Sequence, residues 1–472
     1  MLSPLIAVPF FSILVFNLPF IKPLRKTIFA WSMALLLYQI VFSCLCLSPL
    51  FLAKAGIPLH IFNFNLSIDG LSVIMLFLTA TVLLFALIVS SYFIQEERRR
   101  FNFINLTLFL LCALNGLVLV RDIFSLYIFV EITAITSYVL IAFDKDMKAL
   151  SAVFKYVVLS TVASILMLSS IAIVLLVVGD TKFTVISQTL NASGNSPLIM
   201  LSVSLFLCGL FVKAGLVPFH GWLPEVYSYA GASVSILLGG IISKMLGVYT
   251  LIRVLKDAFV LNSQIGTILL VVGAASILIG AFGALAQKNF KKMLAYSSIS
   301  QVGYIIIGLA ALNPIGFFGA VFHFFNHSIF KSLLFVNSAA LEKEVGSTDM
   351  GHMGGLSKNM PITATTSVLG MLSAAGIPPL AGFWSKLLII IALFIGGHYV
   401  YAAIAVFASV LTLAYLLSMQ RMVFFGKLNE SLSRVKEAGF GIILSAIVLS
   451  AIIVLVGLLY PFVLNKLVLL LT

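Results

Sequence analysis

Charged residues are scarce in this sequence. They make up 9% of its 472 residues, whereas roughly a quarter of a soluble domain is charged. The hydrophobic share is 62% and the mean hydropathy is +1.19, which excludes a soluble enzyme and a disordered chain. An outer-membrane β-barrel is excluded as well, because the alternating polar residues of its strands dilute the hydropathy. The composition therefore predicts an all-α polytopic membrane protein.

Motifs for metals and cofactors are missing too. The four cysteines lie in apolar runs and form no CxxC pair. No P-loop, dinucleotide-binding fingerprint, nucleophile elbow or pair of hydrolase carboxylates occurs, so we expect no metal, no cofactor and no catalytic or redox site in the chain. The formal charge of +13 comes from basic residues in short loops, not from a basic stripe with aromatics, so nucleic acid is not an expected partner.

Apolar runs bounded by charged or turn residues divide the chain into about fourteen predicted spans. They lie near residues 4–20, 27–52, 70–94, 103–120, 123–143, 149–178, 198–222, 231–254, 265–286, 293–312, 315–340, 362–395, 399–424 and 439–462. Residues 60–67 (HIFNFNLS) alternate apolar and polar residues, which indicates a short hairpin outside the membrane.

Basic residues are unevenly distributed between the loops of this parse. Loops after odd-numbered spans hold 17 of the 28 Lys and Arg residues, Lys291 among them, whereas the other loops and the C-terminal tail hold 6, Arg253 among them. Basic residues concentrate in cytoplasmic loops. We therefore expect a multi-pass protein of the cell membrane with both termini on the outer side.

Two segments share one pattern of Gly and Pro. Residues 214–225 (AGLVPFHGWLPE) and 375–386 (AGIPPLAGFWSK) are 161 residues apart. A weaker match, 131–138 with 297–304, has a similar separation and indicates an internal duplication. Pro and Gly interrupt helices, and paired interruptions mark ion or substrate sites in transporters. The predicted breaks involve Gly215, Pro218, Gly376, Pro378 and Pro379.

Six ionisable residues fall within the predicted spans. They are Glu131, Lys155, Lys213, Lys244, Lys331 and Lys386. A charged group at the bilayer centre costs at least about 2.5–3.5 kcal/mol, so each is a candidate functional residue.

The individual residues allow more than one interpretation. Glu131 either ties two helices together or pairs with Lys213 and modulates its proton affinity. Lys244 is flanked by small residues that admit close neighbours. Lys155 lies near a span end, where it either joins a relay or extends its ammonium to the surface. His220, within the first break, is either a gate or a capping donor.

His323, His327 and Lys331 recur every four residues and so share one helix face. The pair of histidines lacks the glutamate of HExxH, and no acid or cysteine lies within the motif, so we predict no metal site. A histidine satisfied within the core is the alternative for His323. With Lys331, the set indicates a proton relay, because imidazole both donates and accepts protons near neutral pH.

Seven motifs occur in order along nearly the whole chain. They are 69–72 (DGLS), Glu131, 213–224 (KAGLVPFHGWLP), Lys244-x-x-Gly-x-Tyr, 292–298 (KMLAYSS), His327-x-x-x-Lys331 and 376–386 (GIPPLAGFWSK). In these motifs the chain resembles the antiporter-like proton-translocating subunits of respiratory complex I, Mrp Na⁺/H⁺ antiporters and group 4 membrane-bound hydrogenases.

The resemblance implies two inverted five-helix repeats, each with one broken helix. Spans 4–8 in residues 103–254 form the first repeat, and spans 9–13 in residues 265–424 form the second. Spans 1–3 in residues 1–102 precede them, and span 14 in residues 425–472 follows.

The resemblance also implies a chain of protonatable residues between two half-channels. Glu131 and Lys213 would be the first-half pair, Lys244 the central link and Lys386 the terminal residue of the second half. Some members of the family have glutamate at the position of Lys386.

We therefore predict a proton-translocating, antiporter-like subunit of a redox-driven membrane complex. One alternative is a subunit of an Mrp-type Na⁺/H⁺ antiporter, and the other is a non-conducting scaffold subunit, against which the buried charges argue. Expected partners are other membrane subunits of the complex, homologous or small, with H⁺ or Na⁺ as the ion and the lipid bilayer as surroundings.

Overall fold

The computed structural model describes residues 3–18, 26–46, 59–61, 64–193, 196–259, 262–462 and 464–465. In these ranges the chain consists of α-helices joined by short connections and one two-stranded hairpin. The helices before the middle of the chain are α1 Ser3–Asn17, α2 Ile28–Cys46, α3 Gly70–Phe93, α4 Glu97–Leu119, α5 Ile123–Ile141, α6 Met147–Val178, α7 Phe183–Ser193, α8 Pro197–Ala214, α9 Leu223–Tyr229, α10 Ala232–Leu237 and α11 Thr250–Asp257. Those that follow are α12 Ser263–Leu285, α13 Phe290–Ala310, α14 Pro314–Glu344, α15 Pro361–Ala375, α16 Ala381–Ile395, α17 Tyr399–Val423 and α18 Phe440–Leu458.

Eleven helical segments of the described chain are long and apolar enough to cross a membrane. This establishes an all-α polytopic fold, whereas the count of about fourteen spans stays a prediction. Most predicted spans coincide with one helix. The seventh covers α8 and the 3₁₀ turn Phe219–Trp222, the eighth covers α10 and α11 with the helical turns between them, and the twelfth covers α15 and α16. Residues 19–20 and 47–52 of the first two predicted spans lie outside the described residues.

The hairpin predicted at residues 60–67 is present. Strand β1 (Leu59–Ile61) pairs antiparallel with β2 (Phe64–Leu66). The hairpin is joined to the start of the next loop, because the amide of Arg121 donates to the carbonyl of Asn65. It therefore lies at the same end of the bundle as the connection between α4 and α5.

Both Gly/Pro segments break a helix. The first break follows α8, where Gly215 has φ +67°, and the second follows α15, where Gly376 has φ +84°. Glycine reaches this left-handed region without the penalty that a Cβ imposes. Cis peptide bonds precede Pro218 and Pro379. The chain resumes as a 3₁₀ turn and α9 after the first break, and as α16 after the second.

Residues Ala232–Asp257, named here the central span, are buried from Ala232 to Leu255. Between α10 and α11 this span is π-helical over Leu238–Ile242 and Lys244–Tyr249. Such wide turns are rare and occur often at functional sites. A Cβ on Gly247 would overlap the backbone of Ala214, so glycine there lets the central span touch the end of α8.

Candidate functional site

Lys213 is buried in the last turn of α8 and pairs with Glu131 of α5. Its Nζ lies 2.7 Å from the carboxylate of Glu131. It also donates to the hydroxyls of Ser160 at 2.9 Å and Ser164 at 3.1 Å, both on α6. Ser164 in turn donates to Glu131. The Lys213 side chain is fully buried while Glu131 is 23% exposed, so the carboxylate is the more accessible partner.

Aromatic rings pack beside this pair and hold the first break. The ring of Tyr156 stacks on Trp222 with centroids 4.1 Å apart, and Tyr138 packs edge-on to Tyr156 at 4.9 Å. The indole of Trp222 donates back to the carbonyl of Val212, next to Lys213. Sequence reasoning missed this stack, because nothing local marks a Tyr and a Trp 66 residues apart as neighbours.

Lys155 and His220 lie at the edge of this region. Lys155 is 55% exposed and forms an ion pair of 2.7 Å with Glu225 of α9. This geometry favours the surface interpretation of Lys155, and exposed pairs of this kind contribute only about 0–1 kcal/mol. His220 lies in the 3₁₀ turn, and its Nδ1 is buried without a hydrogen-bond partner among the described residues.

Lys244 begins the second π-helical stretch of the central span. Its ammonium donates to the carbonyls of Gly239 and Gly240 one turn earlier. The part of the chain that the structure describes holds no carboxylate within ion-pair distance of it. Lys244 therefore sits in the core with backbone carbonyls as its acceptors.

The three residues at four-residue spacing all lie buried on α14. The rings of His323 and His327 are nearly parallel with centroids 6.3 Å apart. His323 contacts Ser385 at 2.9 Å and Gln301 at 3.1 Å, whereas neither ring nitrogen of His327 has a hydrogen-bond partner within the described ranges. Lys331 donates to the carbonyl of Leu294 at 2.8 Å.

Lys386, on α16, reaches back to the second break. Its Nζ donates to the carbonyls of Ala374 at 2.8 Å and Ala375 at 3.4 Å, at the end of α15. The ammonium also lies 4.5 Å from the centre of the Tyr304 ring, a cation–π distance. Lys386 thus follows the second break and donates back to the end of α15. Lys213, in contrast, precedes the first break, in the last turn of α8.

The buried lysines and histidines lie on helices that pack against one another. Helix α14 carries His323, His327 and Lys331 and packs against both the central span and α16. The structure therefore brings three spans that are far apart in sequence into direct contact. The described residues contain no group of three His, Cys, Asp or Glu side chains that could hold a metal. What the arrangement can do chemically is to pass protons between nitrogen bases.

Arg253 was assigned to a loop by the sequence parse, and this assignment is wrong. The residue is fully buried within α11, where it donates to both carboxylate oxygens of Asp69 at 2.7 and 2.9 Å and to Asp257 at 2.8 Å. Burial alone would raise the pKa of Asp69, but Arg253, together with Arg121 and Lys256, holds that pKa well below its usual value. The stability that Asp69 contributes is therefore lost only when pH falls through this lowered pKa.

Lys291 was likewise assigned to a loop, and the structure corrects this. It is the second residue of α13 and is 3% exposed in its side chain. Its Nζ lies 2.6 Å from Glu342 near the end of α14 and donates to the carbonyl of Ala230 at 3.0 Å. From sequence alone Lys291 resembles a loop residue, because it lies at a span end and its partner Glu342 is distant in sequence.

Comparison with known proteins gives one consistent result. Residues 120–412 match the family model described as "NADH:quinone oxidoreductase/Mrp antiporter, TM". The chain is 31% identical to a subunit of the Na⁺/H⁺ antiporter of Alkalihalophilus pseudofirmus, over 84% of this chain and 80% of that protein. It is 33% identical to a subunit of the NADH-quinone oxidoreductase of Desulforudis audaxviator, over 74% of this chain and 71% of that protein.

A solved structure has the same fold. A chain in the Mrp complex from Dietzia sp. DQ12-45-1b superposes with a TM-score of 0.90, covering 99% of this chain and 95% of its own length. The sequence identity is 24%, so this likeness bears on the fold alone.

Proposed function

Since the chain belongs to the NADH:quinone oxidoreductase/Mrp antiporter family of membrane proteins, we propose that it carries protons through a relay of buried Glu, Lys and His side chains. Its place in the family makes it an antiporter-like subunit of the complex I and Mrp type. The proposed relay consists of Glu131, Lys213, Lys244, His323, His327, Lys331 and Lys386.

The observation that carries this proposal is the burial of three lysines with carbonyl oxygens as their acceptors. Lys244, Lys331 and Lys386 are each at most 2% exposed, and none has an ion-pair partner among the described residues. A permanent charge in such a place is costly and needs a reason to persist. Reversible protonation supplies that reason, since a neutral amine is tolerated where a cation is expensive.

The proposed route runs across the two halves of the chain. Glu131 and Lys213 form the pair of the first half, residues 103–254. Lys244 links this pair to His327 through the central span, and Lys386 ends the route in the second half, residues 265–424. The contact of Gly247 with Ala214 supports this order, because it sets the central span against the turn that carries Lys213.

The driving force comes from partner subunits in this proposal. We propose other membrane subunits of a redox-driven complex as partners, by analogy with the NADH-quinone oxidoreductase relative. The antiporter relative favours the alternative, in which a Na⁺ gradient is exchanged for H⁺. The nitrogen bases of the relay suit H⁺ better than Na⁺, because hard cations are bound by oxygen ligands.

Inverted membrane vesicles test the proposal. Vesicles from a strain lacking the gene are compared with vesicles from strains that express the wild-type chain or Lys244→Met, and proton uptake is followed with an acridine dye. Uptake that requires the wild-type lysine and ignores added NaCl supports the redox-driven relay. NaCl-induced proton release that requires the same lysine identifies the antiporter alternative. Wild-type behaviour of Lys244→Met, beside a deficient deletion strain, would overturn the relay and leave a scaffold.

A further inference from the structure

The polar stripe on α14 continues beyond the predicted relay to the end of the helix. Residues at intervals of four, seven and eleven lie on one helix face. His327, Lys331, Ser338 and Glu342 have this spacing. Ser338 is fully buried, and its hydroxyl has no hydrogen-bond partner among the described residues. The stripe therefore reaches Glu342, near the point where α14 ends.

Exposure changes sharply along this stripe. Glu342 is 30% exposed in its side chain, whereas its ion-pair partner Lys291 is 3% exposed and Lys331 is fully buried. Glu342 is thus the residue at which the stripe reaches the surface, while its Oε2 atom, which faces Lys291, is buried. This end of the bundle carries the loops that the basic-residue count assigns to the cytoplasm.

Lys291 ties this end to the other parts of the relay. Its ammonium contacts Glu342 and also the carbonyl of Ala230, which lies between α9 and the central span. One helical turn along α13 from Lys291, the carbonyl of Leu294 accepts from Lys331. Lys291 and Lys331 are therefore both attached to the first turns of α13.

We propose that Glu342, held by Lys291, is the entrance through which protons reach Lys331 from the cytoplasmic side. The carboxylate of Glu342 accepts a proton from water and its bond to Lys291 weakens, because the charge that holds the ammonium is gone. The carboxyl then releases that proton inward, and the amine of Lys331 takes it up. Glu342 returns to the carboxylate form and Lys291 keeps its ammonium throughout, so charge and protons balance.

Ser338 lies between the donor and the final acceptor. Its hydroxyl can donate and accept at once, which suits it to order water over the two turns that separate it from Lys331. Lys291 is a positioning residue in this scheme, because it orients the carboxylate and does not take up the transferred proton.

Glu342→Gln tests the entrance in inverted membrane vesicles, in which the cytoplasmic face is outward. Glutamine keeps the shape and an acceptor for Lys291 but cannot carry a proton. The initial rate of proton uptake should fall by about 100-fold or more, since a positioned proton donor or acceptor usually contributes about 10²–10⁴-fold. Glu344→Gln is the matched control: this residue lies at the same helix end, has no ion pair among the described residues and should leave the rate unchanged.

A double variant separates proton transfer from structural support. Removing one partner of a buried pair destabilises a protein, whereas removing both leaves no unpaired charge. Compared with a variant that removes one partner alone, the double variant Lys291→Gln, Glu342→Gln should restore the amount of assembled complex, seen on native gels. It should not restore proton uptake. A double variant that assembles and pumps at the wild-type rate would show that the pair is only structural.

The inference rests on the proposed relay, and Lys331→Ala in the same vesicles distinguishes their failures. Loss of uptake in Lys331→Ala beside a wild-type rate in Glu342→Gln overturns the entrance and keeps the relay. Wild-type rates in both variants overturn the relay itself.

Discussion

Two lysines at the helix breaks hold their charges in different ways. Lys213 has a carboxylate at 2.7 Å, so its proton affinity depends on the state of Glu131. Lys386 has two backbone carbonyls and an aromatic face, which are fixed dipoles and cannot be neutralised. The first break is therefore open to control by a second titratable group, whereas the contacts of Lys386 stay the same whatever the protonation state of its neighbours.

Lys213→Arg should abolish or nearly abolish proton transport while the complex still assembles. A guanidinium preserves the pairing with Glu131 but stays protonated, so it cannot release a proton. Lys213→Ala should fail as well. Proton pumping in proteoliposomes measures both variants. Lys155→Arg is the control, because its exposed pair with Glu225 tolerates the exchange. Full pumping by Lys213→Arg would contradict a carrier role.

Lys386→Met should not pump, whereas Lys386→Glu should retain partial activity. Methionine fills a similar volume without a titratable group, while a carboxylate still exchanges protons. The measurement is proton uptake in reconstituted vesicles relative to the turnover of the intact complex. A wild-type ratio in Lys386→Met would show that the route bypasses the second break.

Residue by residue, the sequence marked charges within spans better than charges at span ends. Lys213, Lys244, Lys331 and Lys386 were visible because a lysine in an apolar run is anomalous. Arg253 was not, because a charge at the edge of a run reads as a loop residue and its partner Asp69 is 184 positions away.

Among the elements, the two broken helices and the central span differ in how well local sequence predicts them. Pro and Gly mark each break within a dozen residues, so the breaks were predictable from local sequence. The π-helical stretches of the central span contain Gly239, Gly240 and Gly247, at each of which an added Cβ would overlap a neighbouring helix. No local composition specifies such a widening, so sequence reasoning treated this span as an ordinary helix.

Gly247→Val should lower the thermal stability of the purified protein and slow proton transport. The new side chain would overlap Ala214 next to Lys213, and overpacking typically costs about 1–3 kcal/mol. Unfolding followed by fluorescence in detergent measures the effect. Gly221→Ala is the control, because a Cβ there meets nothing within 4 Å. Equal unfolding temperatures for Gly247→Val and the wild type would contradict the close approach.

Across the whole molecule, the contacts between loops follow the alternation that the parse predicted. Arg99 pairs with Asp144, so loops after the third and fifth spans meet. At the opposite end, the backbones of Asp122 and Lys182 pair in an isolated antiparallel β-bridge, so loops after the fourth and sixth spans meet. The grouping of loops was thus predictable from sequence, because each span reverses the side. The contacts themselves do not say which end faces the cytoplasm, so that orientation stays a prediction.

Cysteine labelling determines the orientation. In a variant without the four native cysteines, Arg98→Cys should react with a membrane-impermeant maleimide only after permeabilisation. Basic residues remain on the cytoplasmic side, and Arg98 lies in the basic run that begins α4. Lys182→Cys, at the other end, should react in intact cells. Labelling of position 98 from outside would reverse the orientation.

The burial of the central span from Ala232 to Leu255 has a consequence for biogenesis. The two most buried spans, Ala232–Asp257 and Phe290–Ala310, have the lowest mean hydropathies of the eleven, 1.7 and 1.4. Each Lys or Arg near a helix centre opposes release from the translocon into lipid by about 2.5–3.5 kcal/mol. These spans therefore enter the bilayer poorly by themselves and depend on helices synthesised earlier, such as α3, with a mean hydropathy of 2.8, to receive them. Lys244, the proposed central link of the relay, is thus inserted with a span that depends on the helices around it.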